Sequence, residues 1–296
     1  MPELPEVETI ARGLAKRVTG DIIESVWLGQ KKEPLKSPAA QIAGALEHSR
    51  IAAVRRMGKH IVFDLQPNHL APTGSSGQRR KGKSTRKNRE TSESTLPTSH
   101  LQWIVHLGMT GSLRVCDPQT EVAKHTHAIL KLASGRELRF VDPRRFGRLS
   151  VATAFDATGV EPLEVDLAHF VTLFRGRKTP IKSALLNQKL LRGVGNIYAD
   201  EALFRADIRP RRRASSITRD QLAKLYTGLQ QVLSEAIELG GSSISDYVDA
   251  DGEEGFFQLR HRVYGREGEP CRVCNTPIKR IVIAGRSSHY CPKCQK

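Results

Sequence analysis

Four cysteines fall in the last 26 residues, as Cys271-x2-Cys274 and Cys291-x2-Cys294 with sixteen residues between the pairs. Nothing else in the chain restricts its fold as much. The stretch from about Tyr264 to Lys296 is too short to bury a hydrophobic core of its own, so it needs a cross-link. Two C-x2-C turns each present a pair of sulfurs to one tetrahedral ion, and the IKRIVIAGRSSHY between them is strand-like with a turn at Ala284–Ser287. This spacing predicts a β-hairpin stapled by one Zn2+. With four protein ligands the ion is structural and keeps no open position for a reacting water. Disulfides are the competing reading, and the character of the N-terminus argues against them. The fifth cysteine, Cys116, stands alone at a strand end and reads as a small, half-buried side chain.

That N-terminus, MPELPEVETI, carries Glu3, Glu6 and Glu8 where a secretory signal would carry lysines and then an apolar run. It predicts a cytoplasmic protein, of bacterial type and nucleoid-associated when acting. No stretch approaches the ~18 apolar residues of a membrane span, which argues against a membrane protein. At 296 residues the chain exceeds what one compact core usually needs, so more than one domain is expected. Its formal net charge is +16. Residues 73–99 hold seven basic and two acidic residues in a Gly/Ser/Thr-rich setting, the composition of a disordered insert. They account for +5, and the remaining +11 belongs to the folded body. A surplus of that size points to a polyanionic partner, with nucleic acid the first candidate.

Hydrophobic periodicity divides the rest. From Pro5 to Val18 the apolar positions Val7, Ile10, Ala11, Leu14, Ala15 and Val18 mark one stripe of an amphipathic helix, with Pro5 suited to its first turn. Short runs rich in β-branched and aromatic residues follow at 22–28, 51–56, 61–65, 103–107, 112–115, 128–132 and 137–141. Residues 1–155 therefore read as a β-sandwich with a leading helix. Segments 167–174, 181–191, 197–205 and 220–239 have helical spacing, so 156–262 reads as a helical domain, and 263–296 is the cysteine hairpin. The fold class expected is α+β and multidomain.

If Met1 is removed, Pro2 becomes a secondary amine beside the carboxyl of Glu3. An α-amine titrates near pH ~8 and a lysine near ~10.4, so the terminal amine is the more available nucleophile at neutral pH. A position just before a helix start disfavours its protonated form further. Such an amine can attack a sugar C1′ and go on to an iminium. Taken alone, Pro2 and Pro5 equally describe a stiffened terminus, with Glu3 and Glu6 favouring the helix start.

The motifs PELPEVET, HLGMTG (106–111), DPRRFG (142–147), GVGNIYADEALF (193–204) and VYGREGEPC (263–271), followed by the cysteine hairpin, occur together and in this order. In this the chain resembles the formamidopyrimidine-DNA glycosylase (Fpg/MutM) family over essentially its whole length, residues 73–99 excepted. The resemblance implies a monomeric, bifunctional enzyme of base excision repair acting on double-stranded DNA. Such an enzyme removes oxidised purines, 8-oxoguanine and formamidopyrimidines, and nicks the abasic site by β,δ-elimination. It implies that Pro2 is the Schiff-base nucleophile, that Glu3 assists sugar-ring opening with support from Glu6, and that Lys59 contacts phosphate and donates a proton in β-elimination. Arg286, on the zinc hairpin, would grip phosphates beside the lesion and serve δ-elimination. Met109, Arg144 and Phe146 match the family's inserting triad, which fills the gap left when a nucleotide is turned out of the duplex. Asn196 falls in the helix-two-turns-helix element that contacts the DNA backbone, and His125 and Arg177 at further positions used for DNA contact. Residues 242–256, polar and Gly-containing, are consistent with a mobile lid over the flipped base. Ser245 departs from a lysine found there in some relatives, which leaves the lesion contacts open.

Two other readings compete. Endonuclease VIII-like enzymes share the proline and glutamate and act on oxidised pyrimidines, but Leu4 and the DPRRFG motif favour the purine enzyme. A non-catalytic zinc-finger protein that binds damaged DNA is the second, and borohydride trapping of a covalent adduct separates it from the enzyme.

Overall fold

The apolar stripe at the N-terminus becomes the helix α1 (Leu4–Val18), started by Pro5 in its first turn and by the backbone N–H of Glu3, which donates to Glu6 Oε2 at 2.8 Å. In the computed structural model, residues 1–67, 101–243, 248–250 and 252–296 are described. The basic run 73–99 lies outside them.

Eight strands follow among the described residues of the N-terminal half, β1 (Ile23–Leu28), β2 (Ser49–Met57), β3 (His60–Pro67), β4 (Leu101–His106), β5 (Ser112–Cys116), β6 (Thr126–Leu132), β7 (Glu137–Val141) and β8 (Arg148–Ala152). They form two four-stranded antiparallel sheets in the orders β1-β6-β7-β5 and β2-β3-β4-β8, the expected sandwich. Alternate side chains of both sheets, among them Phe63, Trp103, Leu130 and Phe140, meet in one core, which the stripe Val7, Ile10, Leu14 and Val18 closes. Leu4 faces elsewhere. It belongs to the core of the helical half, and its N–H donates to the Gly193 carbonyl at 3.0 Å. One helix is thus sunk into two cores, and the N-terminus is fixed where they meet.

The helical half contains α3 (Leu167–Phe174), α4 (Ile181–Leu185), α5 (Asn196–Arg205) and α6 (Arg219–Glu238). Its core is built on Phe170, Phe174, Tyr198, Leu203 and Leu229. The hairpin β9 (Lys279–Ile283) and β10 (Arg286–Tyr290) closes the chain.

Four local expectations change. The short helix α2 (Ala39–Leu46) has no stripe long enough to register, yet buries Ile42, Ala45 and Leu46 against the sandwich. Strand β8 follows directly on a turn-rich motif, and only its pairing with β4 makes it a strand. The helix expected over 181–191 stops at Leu185, because the Asn187 side chain accepts from the Lys189 N–H at 3.0 Å and folds the chain into a turn. The hairpin turn is confined to Ala284 and Gly285, both at positive φ, so Arg286 is already the first residue of β10, paired with Ile283.

Candidate active site

A cavity of about 450 Å³ opens where the sandwich, the helical half and the hairpin meet. Met1, Glu3, Lys59, Met109, Asn196 and Arg286 all line it, though they come from regions far apart in sequence. Pro2 is buried between Met1 and Glu3.

Glu3 is the acidic residue of its lining. The side chain is only 4% exposed and lies over the start of α5, where Oε1 accepts the Ile197 N–H at 3.1 Å. Such an approach needs a residue without a side chain beneath it: a Cβ on Gly195 would sit 2.1 Å from Glu3 Cδ. Gly193, at φ +91°, likewise leaves room for Leu4. Burial raises the Glu3 carboxyl from 4.5 to about 7; Lys59 opposes this, Glu6 adds to it, and the N–H groups of Ile197 and Tyr198 oppose it again. Burial also lowers the Lys59 ammonium, against the pull of Glu3 and Glu6 and with the help of Arg286.

Glu6 sits behind Glu3 in a closed set of contacts. It accepts from the Glu3 N–H, from the Ser242 N–H at 2.8 Å and from the Tyr198 hydroxyl. The phenol is held well above its usual range by burial and by Glu6. Several described residues of 242–256 make contacts with the rest of the protein. Ser242 Oγ also meets His261 Nε2 at 2.9 Å, the Gly255 N–H donates to Ser243 Oγ at 2.9 Å, and Ala250 is buried in the sandwich core against Gly13. Residues 244–247 and 251 of the segment read as a lid lie outside the described set.

Lys59 stands in the tight β2–β3 turn, whose Gly58 adopts φ +59°. Glu161, from the helical half, accepts the Gly58 N–H at 2.8 Å, the Arg56 guanidinium at 2.7 Å and Arg192 Nε at 2.9 Å. Arg56 also pairs with Glu8 of α1 at 2.7 Å. One buried carboxylate thus ties the turn to both halves of the protein.

Arg286 is positioned by its neighbours. Ser287 Oγ accepts from Asn196 Nδ2 at 3.3 Å, and the Ser287 carbonyl accepts from Lys182 Nζ at 2.6 Å. Lys182 is fully buried in an ion pair with Asp200 at 2.7 Å, and Asp200 also accepts the His289 N–H at 2.8 Å. The next residue, Glu201, accepts the N–H groups of Arg262, Val263 and Tyr264 at 2.9–3.0 Å. Two consecutive acids of α5 therefore hold the cysteine module at two places. Its four Sγ atoms lie within 4.8 Å of one another, with Cys274 and Cys291 at 3.4 Å and Cys271 and Cys294 at 3.9 Å. A tetrahedron with Zn–S near ~2.3 Å has edges of about 3.8 Å, so the cluster fits one zinc ion.

At the mouth of the cavity two turns carry exposed side chains. Met109 is 41% and Phe146 52% exposed, and the Arg144 guanidinium lies 4.9 Å from the centre of the Phe146 ring. Asp142, fully buried, clamps both turns by accepting from Thr110 Oγ1 at 2.6 Å and from the Gly147 N–H at 2.7 Å. His125 is exposed and its carbonyl accepts the Asp142 N–H at 3.0 Å. Arg177 is also exposed but belongs to the α3–α4 connection, folded back on the Leu173 carbonyl, and does not line the cavity.

Three domain-family descriptions match the chain in succession: Formamidopyrimidine-DNA glycosylase N-terminal domain at residues 1–149, Formamidopyrimidine-DNA glycosylase H2TH domain at 158–248, and zinc finger found in FPG and IleRS at 268–296. The chain belongs to the formamidopyrimidine-DNA glycosylase family. A formamidopyrimidine-DNA glycosylase of Solibacter usitatus is 43% identical over 303 residues, covering all of both chains. The crystal structure of the MutM (Fpg) protein from Thermus thermophilus superposes with a TM-score of 0.79 at 40% identity, over 99% of this chain and 98% of that one. A Lactococcus lactis Fpg mutant in complex with Fapy-dG-containing DNA gives 0.83 at 30% identity over the whole of both chains. As a formamidopyrimidine-DNA glycosylase-family protein the chain holds one structural zinc in its cysteine module. No helix among the described residues is long and apolar enough to cross a membrane.

Proposed function

We propose that this protein excises oxidised purines, 8-oxoguanine and formamidopyrimidines, from double-stranded DNA as a monomer and then cleaves the abasic site by β,δ-elimination. The observation that carries this reading is the buried Glu3 carboxyl, with a pKa raised to about 7, facing Lys59 in a cavity entered past Met109 and next to Pro2. Met1 is half exposed and lines the cavity, so its removal would bare the Pro2 nitrogen on the cavity wall.

The free amine attacks C1′ while the glycosidic bond breaks and its electron pair leaves with the base. Glu3 is about half protonated at neutral pH and gives its proton to the ring oxygen as the sugar opens to the iminium. Loss of a C2′ proton expels the 3′ phosphate, and a second elimination expels the 5′ phosphate. Lys59 and Arg286 supply positive charge for the phosphates, and Lys59, with its lowered pKa, exchanges a proton more readily than a free lysine. Met109 and Phe146 occupy the emptied base stack, Arg144 meets the orphaned base, and Asn196, His125 and Arg177 contact the backbone. Glu6 fixes Glu3. The same proposal divides the chain at about residues 155 and 262 and places it in the cytoplasm, where thiolates stay free for zinc.

Borohydride trapping tests it. The protein is expected to give a covalent adduct with 8-oxoguanine duplex, with none from Pro2→Glu, whose large second residue keeps Met1 in place. An oxidised-pyrimidine duplex that outcompetes 8-oxoguanine would transfer the reading to the endonuclease VIII type. Cleavage of lesion DNA by protein whose intact mass retains Met1 would overturn the nucleophile.

A further inference from the structure

The outer side of α6 carries a groove that the chemistry above does not use. Three adjoining cavities of about 370, 450 and 530 Å³ run along it, sharing Arg205 throughout and Glu235 and Arg262 between the two larger ones. From Lys224 at one end to Glu238 at the other the helix rises about 20 Å. The opposite wall comes from the segment entering the cysteine module, with Arg260 and Arg262, and from the first cysteine turn, with Arg272 and Val273.

The charge in this groove is unbalanced. Both terminal nitrogens of Arg205 pair with Glu235 at 2.7 Å, and its buried Nε has no partner among the described residues. Arg260, Arg262 and Arg272 are exposed, and no carboxylate lies within ion-pair distance of them among the described residues, although Glu235 feels the charge of Arg262 and Arg260 from further off; the Arg272 guanidinium reaches only the Leu259 carbonyl at 3.4 Å. Glu238 and Asp207 are the remaining acids of the lining, against these three arginines and Lys224. Val273 in the lining presents a large apolar side chain, as do two residues that flank the groove, Leu259 with its carbonyl on Arg272 and Phe256 with its N–H on the Leu239 carbonyl. Phe256, Leu259 and Val273 are 60%, 68% and 64% exposed, three of the most exposed large hydrophobics among the described residues.

The groove is also set apart from the catalytic cavity. Helix α5 begins at the cavity with Asn196 and ends at the groove with Arg205, about 14 Å further along. The two share no lining residue. Arginines with apolar neighbours suit a chain that alternates acidic and apolar groups, which a sugar-phosphate backbone does not.

We infer that this groove is a docking site for an acidic, leucine-containing peptide segment of a partner protein, open while the lesion cavity is occupied by DNA. About 20 Å accommodates some six residues in extended form. Arg260, Arg262 and Arg272 receive the carboxylates, and Leu259 and Val273 receive the apolar side chains.

The test uses the full chain and a fluorescein-labelled peptide of about a dozen alternating glutamate and leucine residues, followed by anisotropy. Saturable binding is expected, equal with and without a saturating duplex carrying a stable abasic analogue, and absent for a peptide with glutamine in place of glutamate. The R260E/R262E/R272E variant is expected to weaken binding at least ~10-fold while cleaving lesion duplex at the wild-type rate. R262A, a milder change, is expected to weaken it ~3-fold with an unaltered melting temperature. No saturation by about 1 mM peptide, or equal binding by wild type and both variants, overturns the inference. Displacement of the peptide from the abasic-loaded protein by undamaged duplex also overturns it, in favour of a second DNA contact.

Discussion

Replacing Glu3 by glutamine is expected to make the protein more stable and nearly inactive, with a stability gain that depends on pH. The isostere keeps Oε1 as acceptor for Ile197 N–H and fits above Gly195, where nothing larger would. What it removes is a buried charge. Below pH 4.5 the folded and unfolded chains both carry a protonated Glu3, and the residue costs nothing by ionisation. Between 4.5 and about 7 the unfolded chain ionises first, so stability falls as pH rises, and above 7 the full cost is present. The gap from 4.5 to about 7, at ~1.4 kcal/mol for each pH unit, is about 3 kcal/mol. Urea unfolding at pH 8 should therefore place Glu3→Gln above wild type by up to about 3 kcal/mol, and the difference should shrink towards zero near pH 4.5. Single-turnover base release should fall by roughly 10²- to 10⁴-fold, the usual worth of a positioned general acid. A variant that is less stable than wild type at pH 8, or a difference that does not change with pH, would refute the account of Glu3 as a strained, proton-carrying carboxyl.

Other consequences can be checked separately. Gly195→Ala forces a Cβ to within 2.1 Å of Glu3 Cδ, so base release and thermal stability should both drop, while Gly135→Ala at an open turn should spare activity. Glu161→Gln leaves Arg56 and Arg192 facing a neutral group in a buried cluster; a loss of about 3 kcal/mol in chemical denaturation is expected, with β-elimination reduced through the Lys59 turn. Chelation of the zinc should weaken binding to lesion duplex by loosening the mount of Arg286, measured by filter binding before and after zinc is restored; unchanged affinity would count against that role. Lys182→Met strands Asp200 in the interior at a cost of about 3–5 kcal/mol, and a melting curve should show part of it recovered in the double variant with Asp200→Leu.

Local pattern carried much of the architecture. The stripe of α1, the strand runs and the cysteine spacing each depend on neighbours within a few residues, and each is found where it was expected. Two of the departures arise from packing that this local pattern does not show. Strand β8 exists through β4, far from it in the chain, and α2 through the sandwich surface it covers. At the site, the motifs brought Glu3, Lys59, Met109, Asn196 and Arg286 into view, and the fold gathers them on one cavity. The groups that hold them there were not legible. Glu161 meets Arg56 across 105 positions, and Lys182 reaches Ser287 across another 105. Asp200 and Glu201 look like ordinary helix-surface acids in NIYADEALF until the packing shows both turned inward. A buried carboxylate whose donors come from distant segments leaves no periodic trace.

The chamber around Glu3 is walled by the first residues of the chain and by some of the last, Ile283, Ala284 and Arg286. During synthesis the amino end emerges first and must wait for almost the entire polypeptide before that enclosure can close. A nascent or truncated chain lacks the wall that Ile283, Ala284 and Arg286 supply, so the chamber around Glu3 exists only in the finished fold.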